Sequence, residues 1–119
     1  MKYLAAVYWD EKRWLALPQS ERDRMMAECG VYADEVRRSG HLLAGAPLQP
    51  SATATTLRRT DEQLVVTDGP FAETKEVLGG YHVFECKDLD EALAVCARWP
   101  GLGWGFTLEV RPIIQNVCG

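Results

Sequence analysis

An α+β fold is what this sequence predicts, and three observations lead to it. The segments change in kind along the chain in the order strand, helix, strand, hairpin, strand, helix, strand. The two helical segments each carry one apolar stripe: Met25, Cys29, Tyr32, Ala33 and Val36 in the first, Leu89, Ala92, Leu93, Cys96 and Trp99 in the second. The first strand is instead apolar on both sides, with Ala5, Val7 and Trp9 on one and Leu4, Ala6 and Tyr8 on the other. Without the hairpin this is the ferredoxin-like split pattern, an antiparallel sheet with two helices on one face.

Each element has a local reason. Residues 3–9 form an aromatic, apolar run suited to a strand covered on both faces. Asp10 to Gln19, with Pro18, is expected to be a connection. Ser20 and Asp23 look like a short capping box, and Gly40 sits where a helix end wants a left-handed residue, so helix one is placed at 20–39. His41 to Leu48 is the second strand. Residues 53–59 and 63–67 flank Thr60-Asp61-Glu62 as an inserted hairpin. Tyr81 to Cys86 is a further strand, Asp88 and Glu91 cap a helix over 88–99, and Pro100-Gly101 stops it. Phe106 to Ile113 is the last strand, with Phe106, Leu108 and Val110 alternating against Thr107, Glu109 and Arg111.

The length, 119 residues, suits one domain over 1–119, and the net charge of −4 argues against nucleic-acid binding. No apolar run reaches the roughly 18 residues of a membrane span, and Asp10-Glu11 interrupts the N-terminal run before any cleavage site, so a cytoplasmic location is expected. Cys29, Cys86, Cys96 and Cys118 have no metal-ligand spacing; the first three are expected in the core as free thiols and Cys118 on the tail. No metal and no cofactor is expected. The doubly apolar first strand needs a cover, and a homodimer whose sheets face one another supplies it.

The most chemical segment is Asp68-Gly69-Pro70-Phe71-Ala72-Glu73-Thr74-Lys75-Glu76-Val77-Leu78-Gly79-Gly80-Tyr81, a charged loop between apolar runs. Asp68 is a candidate general acid or base, with the alternative that its carboxylate holds the turn. Lys75, paired with an acid, and Phe71 are expected at a cavity mouth. Tyr81 and His82 alternate, so only one faces that cavity. Glu109 and Arg111 project from one side of the last strand, either as a site for an anionic ligand or as a structural ion pair. Tyr8 and Trp9 are expected in the core or a dimer contact.

The segment from Asp68-Gly69-Pro70-Phe71 to Gly79-Gly80-Tyr81 resembles the signature of the DGPF-motif branch of the YCII-related family. Lys2-Tyr3, Leu48-Gln49-Pro50 before Ala54-Thr55-Thr56, Asp88-Leu89-Asp90-Glu91-Ala92 and Glu109-Val110-Arg111-Pro112 extend the resemblance over nearly the whole chain. It implies the dimeric α/β barrel fold, whose members include small monooxygenases, isomerases and dechlorinases, and an association with sigma factors. The broader family carries a histidine in helix one and an aspartate after helix two. This chain has Arg24-Met25-Met26 and Arg98-Trp99-Pro100-Gly101 there, so that pair cannot be carried over. Two functions remain: binding of a small anionic metabolite in a cavity, with or without cofactor-free acid–base chemistry, or a non-catalytic interaction module in transcriptional control.

Overall fold

The structure, a computed structural model, describes residues 1–115. Four strands make the main sheet: β1 (Lys2–Trp9), β2 (Leu42–Pro47), β5 (Val77–Glu85) and β6 (Thr107–Pro112), in the order β2-β5-β1-β6. Every neighbouring pair is antiparallel. This is the ferredoxin-like arrangement, with β1 and β5 central because they carry the apolar runs. The expectation for Cys118 lies outside the described residues.

Helices α2 (Gln19–Arg38) and α3 (Leu89–Ala97) lie on one face of the sheet. The helices bury Met25, Tyr32 and Val36, and Ala92, Val95 and Cys96, against Tyr3, Ala5 and Val7 of β1 and Phe84 of β5, whereas Leu89 and Leu93, expected in the second stripe, are exposed and Val95 takes their place. The Tyr32 hydroxyl, buried at the centre, donates to the Val95 carbonyl at 2.7 Å and ties the helices together. At the end of α2, Gly40 takes φ +83°, His41 N–H bonds the Val36 carbonyl, and Gly40 N–H bonds that of Arg37. This double closure is the Schellman arrangement. Asp88 accepts from Glu91 N–H at 2.9 Å while the Glu91 carboxylate takes Lys87 N–H, which starts α3 as expected.

Three local expectations are corrected. Residues 11–16 form a helix, α1 (Glu11–Ala16), rather than a plain connection. Asp10 caps it by accepting from Lys12 and Arg13 N–H, and Trp14 packs against Trp9 and Phe106. Ser20 and Asp23 make no capping box: α2 starts at Gln19 behind Pro18, and the Gln19 amide holds Asp23 instead. Strand β5 begins at Val77, so Gly79-Gly80 lie inside it and do not close a loop.

The hairpin, β3 (Thr55–Thr60) and β4 (Gln63–Asp68), is a separate two-stranded sheet turned by Asp61 and Glu62, both at positive φ. Every residue from Leu57 to Asp68 is exposed. The arm stands away from the body, and the radius of gyration is 16.2 Å. A compact chain of this length has a radius of about 13–14 Å.

Candidate functional site

Strand register assigns each side chain to a face. Ala6 pairs with Tyr81 and Glu109, and Leu4 pairs with Val83 and Arg111. These side chains therefore share the face without helices. Ala5 pairs with His82 and Val110, on the helix side. That side holds a cavity of about 220 Å³ between the sheet and α2.

The walls of the cavity come from five parts of the chain. β1 supplies Val7 and Trp9, β2 supplies Leu42 and Gly45 to Pro47, and β5 supplies Gly79 to His82. α2 contributes Met25, Met26, Cys29, Gly30, Ala33 and Arg37, and the far end is closed by Trp99 and Phe106. The aromatic rings brace one another. Trp9 stacks on Trp14 with centroids 5.5 Å apart, and Phe106 meets Trp9 edge-on at 5.2 Å. Gly30 sits in the middle of α2, where glycine costs about 1 kcal/mol against alanine. A Cβ there would meet nothing within 4 Å, so the missing side chain leaves the cavity open.

Arg37 is the single charged residue among these. Its Nη1 lies 3.5 Å from Asp34 Oδ1, a long, exposed contact that leaves most of the guanidinium unengaged. His82 is held neutral, because burial pushes its pKa below the ordinary value. Burial likewise raises the Cys29 thiol, and the Cys96 thiol is pushed up to about 11, so neither is a ready nucleophile. Among the described residues, no three His, Cys, Asp or Glu side chains cluster closely enough to hold a metal ion.

The residues singled out in the sequence are not gathered in one place. Asp68 ends β4 opposite Thr55 and is exposed, and its carboxylate makes no hydrogen bond with a described residue. The turn after it is held by Gly69 N–H on the Ala54 carbonyl and by the Thr56 hydroxyl on the Gly69 carbonyl. Phe71 is 76% exposed, with the Arg58 guanidinium 6.0 Å above its ring. Lys75 is exposed and forms no ion pair with a described residue. Glu109 and Arg111 do pair, Nε at 3.1 Å and Nη2 at 2.9 Å from the same Oε1, on the open face rather than in the cavity. Tyr81 borders the cavity, and of the alternating pair it is the His82 ring that packs on the helix side, against Phe84 and Trp99. Where the resemblance directs attention to a histidine and an aspartate, the cavity has Met25, Met26 and Trp99.

A family model described as the YCII-related domain matches residues 1–115. The chain belongs to the YCII-related family. An uncharacterised protein of Rhizobium meliloti (strain 1021) is 39% identical over 117 residues, which cover 95% of this YCII-related chain and 92% of the relative. Among solved structures, the chain is similar to the 5-chloro-2-hydroxyhydroquinone dehydrochlorinase TftG from Burkholderia phenoliruptrix AC1100, determined in complex with 2,5-dihydroxybenzoquinone. The TM-score is 0.55 at 18% identity, covering 98% of this chain and 96% of that one. At that identity the likeness concerns the fold alone. Among the described residues, no helix is long and apolar enough to cross a membrane.

Proposed function

We propose that this YCII-related protein binds a small, planar, anionic aromatic compound in the helix-side cavity, and does so as a cytoplasmic homodimer. The observation that carries the reading is the composition of the wall: aromatic and thioether side chains around about 220 Å³, with Arg37 as the one charge among the described residues. A cavity of about 150 Å³ holds benzene, so this one fits a single substituted ring. Apolar walls with a few placed polar groups are the usual form of a small-molecule site. A lightly engaged guanidinium suits a carboxylate or an ionised ring oxygen. TftG, of the same fold, was determined with a single-ring dihydroxyquinone, which is consistent with a ligand of this size. Among the described residues no carboxylate lines the cavity beside His82, so the reading is one of binding.

The homodimer is supported by the open face, where Leu4, Ala6, Tyr8, Val83, Leu78 and Tyr81 have no helix over them. The test uses Gly30→Leu, which fills the cavity from α2 without touching the sheet. Hydroxybenzoates and 2,5-dihydroxybenzoquinone should raise the melting temperature of the native protein and leave that of Gly30→Leu unchanged. An equal response of both proteins would reject the cavity as the site.

The second reading, an interaction module working with a sigma factor, is favoured by one observation. The projecting hairpin and the loop after it expose Leu57, Leu64, Val65, Val66 and Phe71. Co-purification that survives Gly30→Leu but is lost on Val66→Lys would support it.

A further inference from the structure

Two ring nitrogens of the cavity wall, Trp9 Nε1 and His82 Nδ1, are sealed without a partner among the described residues; packing on Trp14 and Phe106 accounts for the indole, but the imidazole has no such account. His82 lies on β5 opposite Ala5 of β1 and Gly45 of β2, facing the helices. Its ring is 5.5 Å from that of Phe84 and 5.6 Å from that of Trp99, the latter nearly edge-on. Gly45 makes room for it: a Cβ there would lie 3.1 Å from His82 Cδ2. Among the described residues, none of these neighbours is hydrogen-bonded to the imidazole. Nδ1 is sealed from solvent without a partner among the described residues, while the ring as a whole lines the cavity. A phenylalanine would fill this place at less cost, since a buried polar group without a partner is unfavourable. An imidazole here gains its use when a ligand supplies the partner.

We propose that His82 selects, among planar aromatic ligands of this cavity, those that carry a ring oxygen, either a hydroxyl or a carbonyl, by hydrogen bonding it through its imidazole. The inference rests on the reading of the cavity as a ligand site and deepens it. No carboxylate is hydrogen-bonded to His82 to fix its tautomer or raise its basicity. The neutral ring can therefore accept from a hydroxyl or donate to a carbonyl. Proton abstraction is not assigned to it. Arg37, reaching the same cavity from α2, would take the ligand's anionic group, so two polar contacts would orient one ring between Trp9 and Trp99.

The experiment compares benzoate with its three hydroxylated isomers by calorimetric titration of the native protein, His82→Phe and His82→Gln. Phe keeps the ring stack and removes the nitrogen; Gln keeps a hydrogen-bonding group. The native protein is expected to favour one hydroxybenzoate over benzoate by about tenfold, the size of one net hydrogen bond. His82→Phe should abolish that preference with benzoate affinity unchanged, and His82→Gln should retain part of it. A preference that persists in His82→Phe, or an equal loss for benzoate and its hydroxylated isomers, overturns the assignment while leaving the cavity reading intact. No binding of any of the four to the native protein would overturn the cavity reading, and this inference with it.

Discussion

The Trp9 indole lies flat against Gly79, so close that a Cβ at position 79 would sit 2.5 Å from Cε2 and 2.7 Å from Nε1. This contact between β1 and β5 sets the end wall of the cavity, because Trp14 stacks on the indole so placed and Phe106 meets it edge-on. Gly79→Ala must push the indole away or spread the strands. The expected cost is about 1–3 kcal/mol, the usual range for overpacking. Urea denaturation measures it, and tryptophan fluorescence should shift in the folded baseline. An unchanged midpoint would mean the indole has another resting place.

Tyr32→Phe isolates the bond between the two helices. The hydroxyl is removed with little change of shape, and the buried Val95 carbonyl loses its side-chain donor. A loss of about 1–2 kcal/mol is expected, with the far-ultraviolet circular dichroism unchanged. A neutral result would show that the carbonyl is satisfied without the hydroxyl.

Much of this fold is legible in the sequence because burial repeats with the period of each element. Met25, Tyr32 and Val36 lie four to seven apart, and along β6 the partly buried Leu108 and Val110 alternate with exposed Thr107, Glu109 and Arg111. Helix α1 escaped because six residues between Asp10 and Pro18 show no stripe; only the cap and a run of helix formers mark it. The start of β5 is hidden in the sequence because Gly79 looks like a loop residue until Trp9 is laid on it. The charged segment after Asp68 drew attention by composition, yet the cavity has apolar walls contributed by five separate stretches, and no local motif describes those. Two signals were available. Gly30 breaks an otherwise good helix at mid-length, and His82 has the same parity as Phe84, a core residue, which decides its face.

His82 makes the stability depend on pH in a definite direction. Burial lowers its folded-state pKa beneath the ordinary 6.5 that holds in the unfolded chain. Between those two values the unfolded state binds the extra proton, so acidification through that window removes stability. Above about 6.5 both states are neutral and the contribution is flat. Arg37, Cys29 and Tyr81 are the other ionisable groups around the cavity. Of these, the Cys29 thiol is shifted upward by burial. The melting temperature of the native protein should therefore fall more steeply than that of His82→Phe from about pH 7 to about pH 5. Parallel curves would show that the imidazole protonates without cost.

Asp68→Asn tests whether the charged segment matters to the fold. The carboxylate is exposed and makes no hydrogen bond with a described residue, and the following turn is secured by the Ala54 carbonyl and the Thr56 hydroxyl. The substitution should change stability by no more than about 0.5 kcal/mol, as for an ordinary surface site. Thr56→Val, which removes the bond to the Gly69 carbonyl, should cost more. The reverse order would return the turn to Asp68.

The open face gives the last prediction. Val83 lies between Leu4 of β1 and Ala44 of β2, on the side opposite the helices, with its side chain partly accessible. In a homodimer that pairs these faces, a charge at this point would be buried against its own copy, at a cost of several kcal/mol. Val83→Asp should therefore give a folded monomer by multi-angle light scattering at micromolar concentration, while the native protein gives a dimer. Arg111→Ala is the complementary variant. If Arg111 and Glu109 serve only each other at the rim, the dimer should survive the change with a loss of about 1 kcal/mol or less. A native monomer, or a dimer that tolerates Val83→Asp, would leave the open face without its proposed partner. The apolar arm carrying Leu57 and Leu64 to Val66 would then be the surface on which to look for a different one.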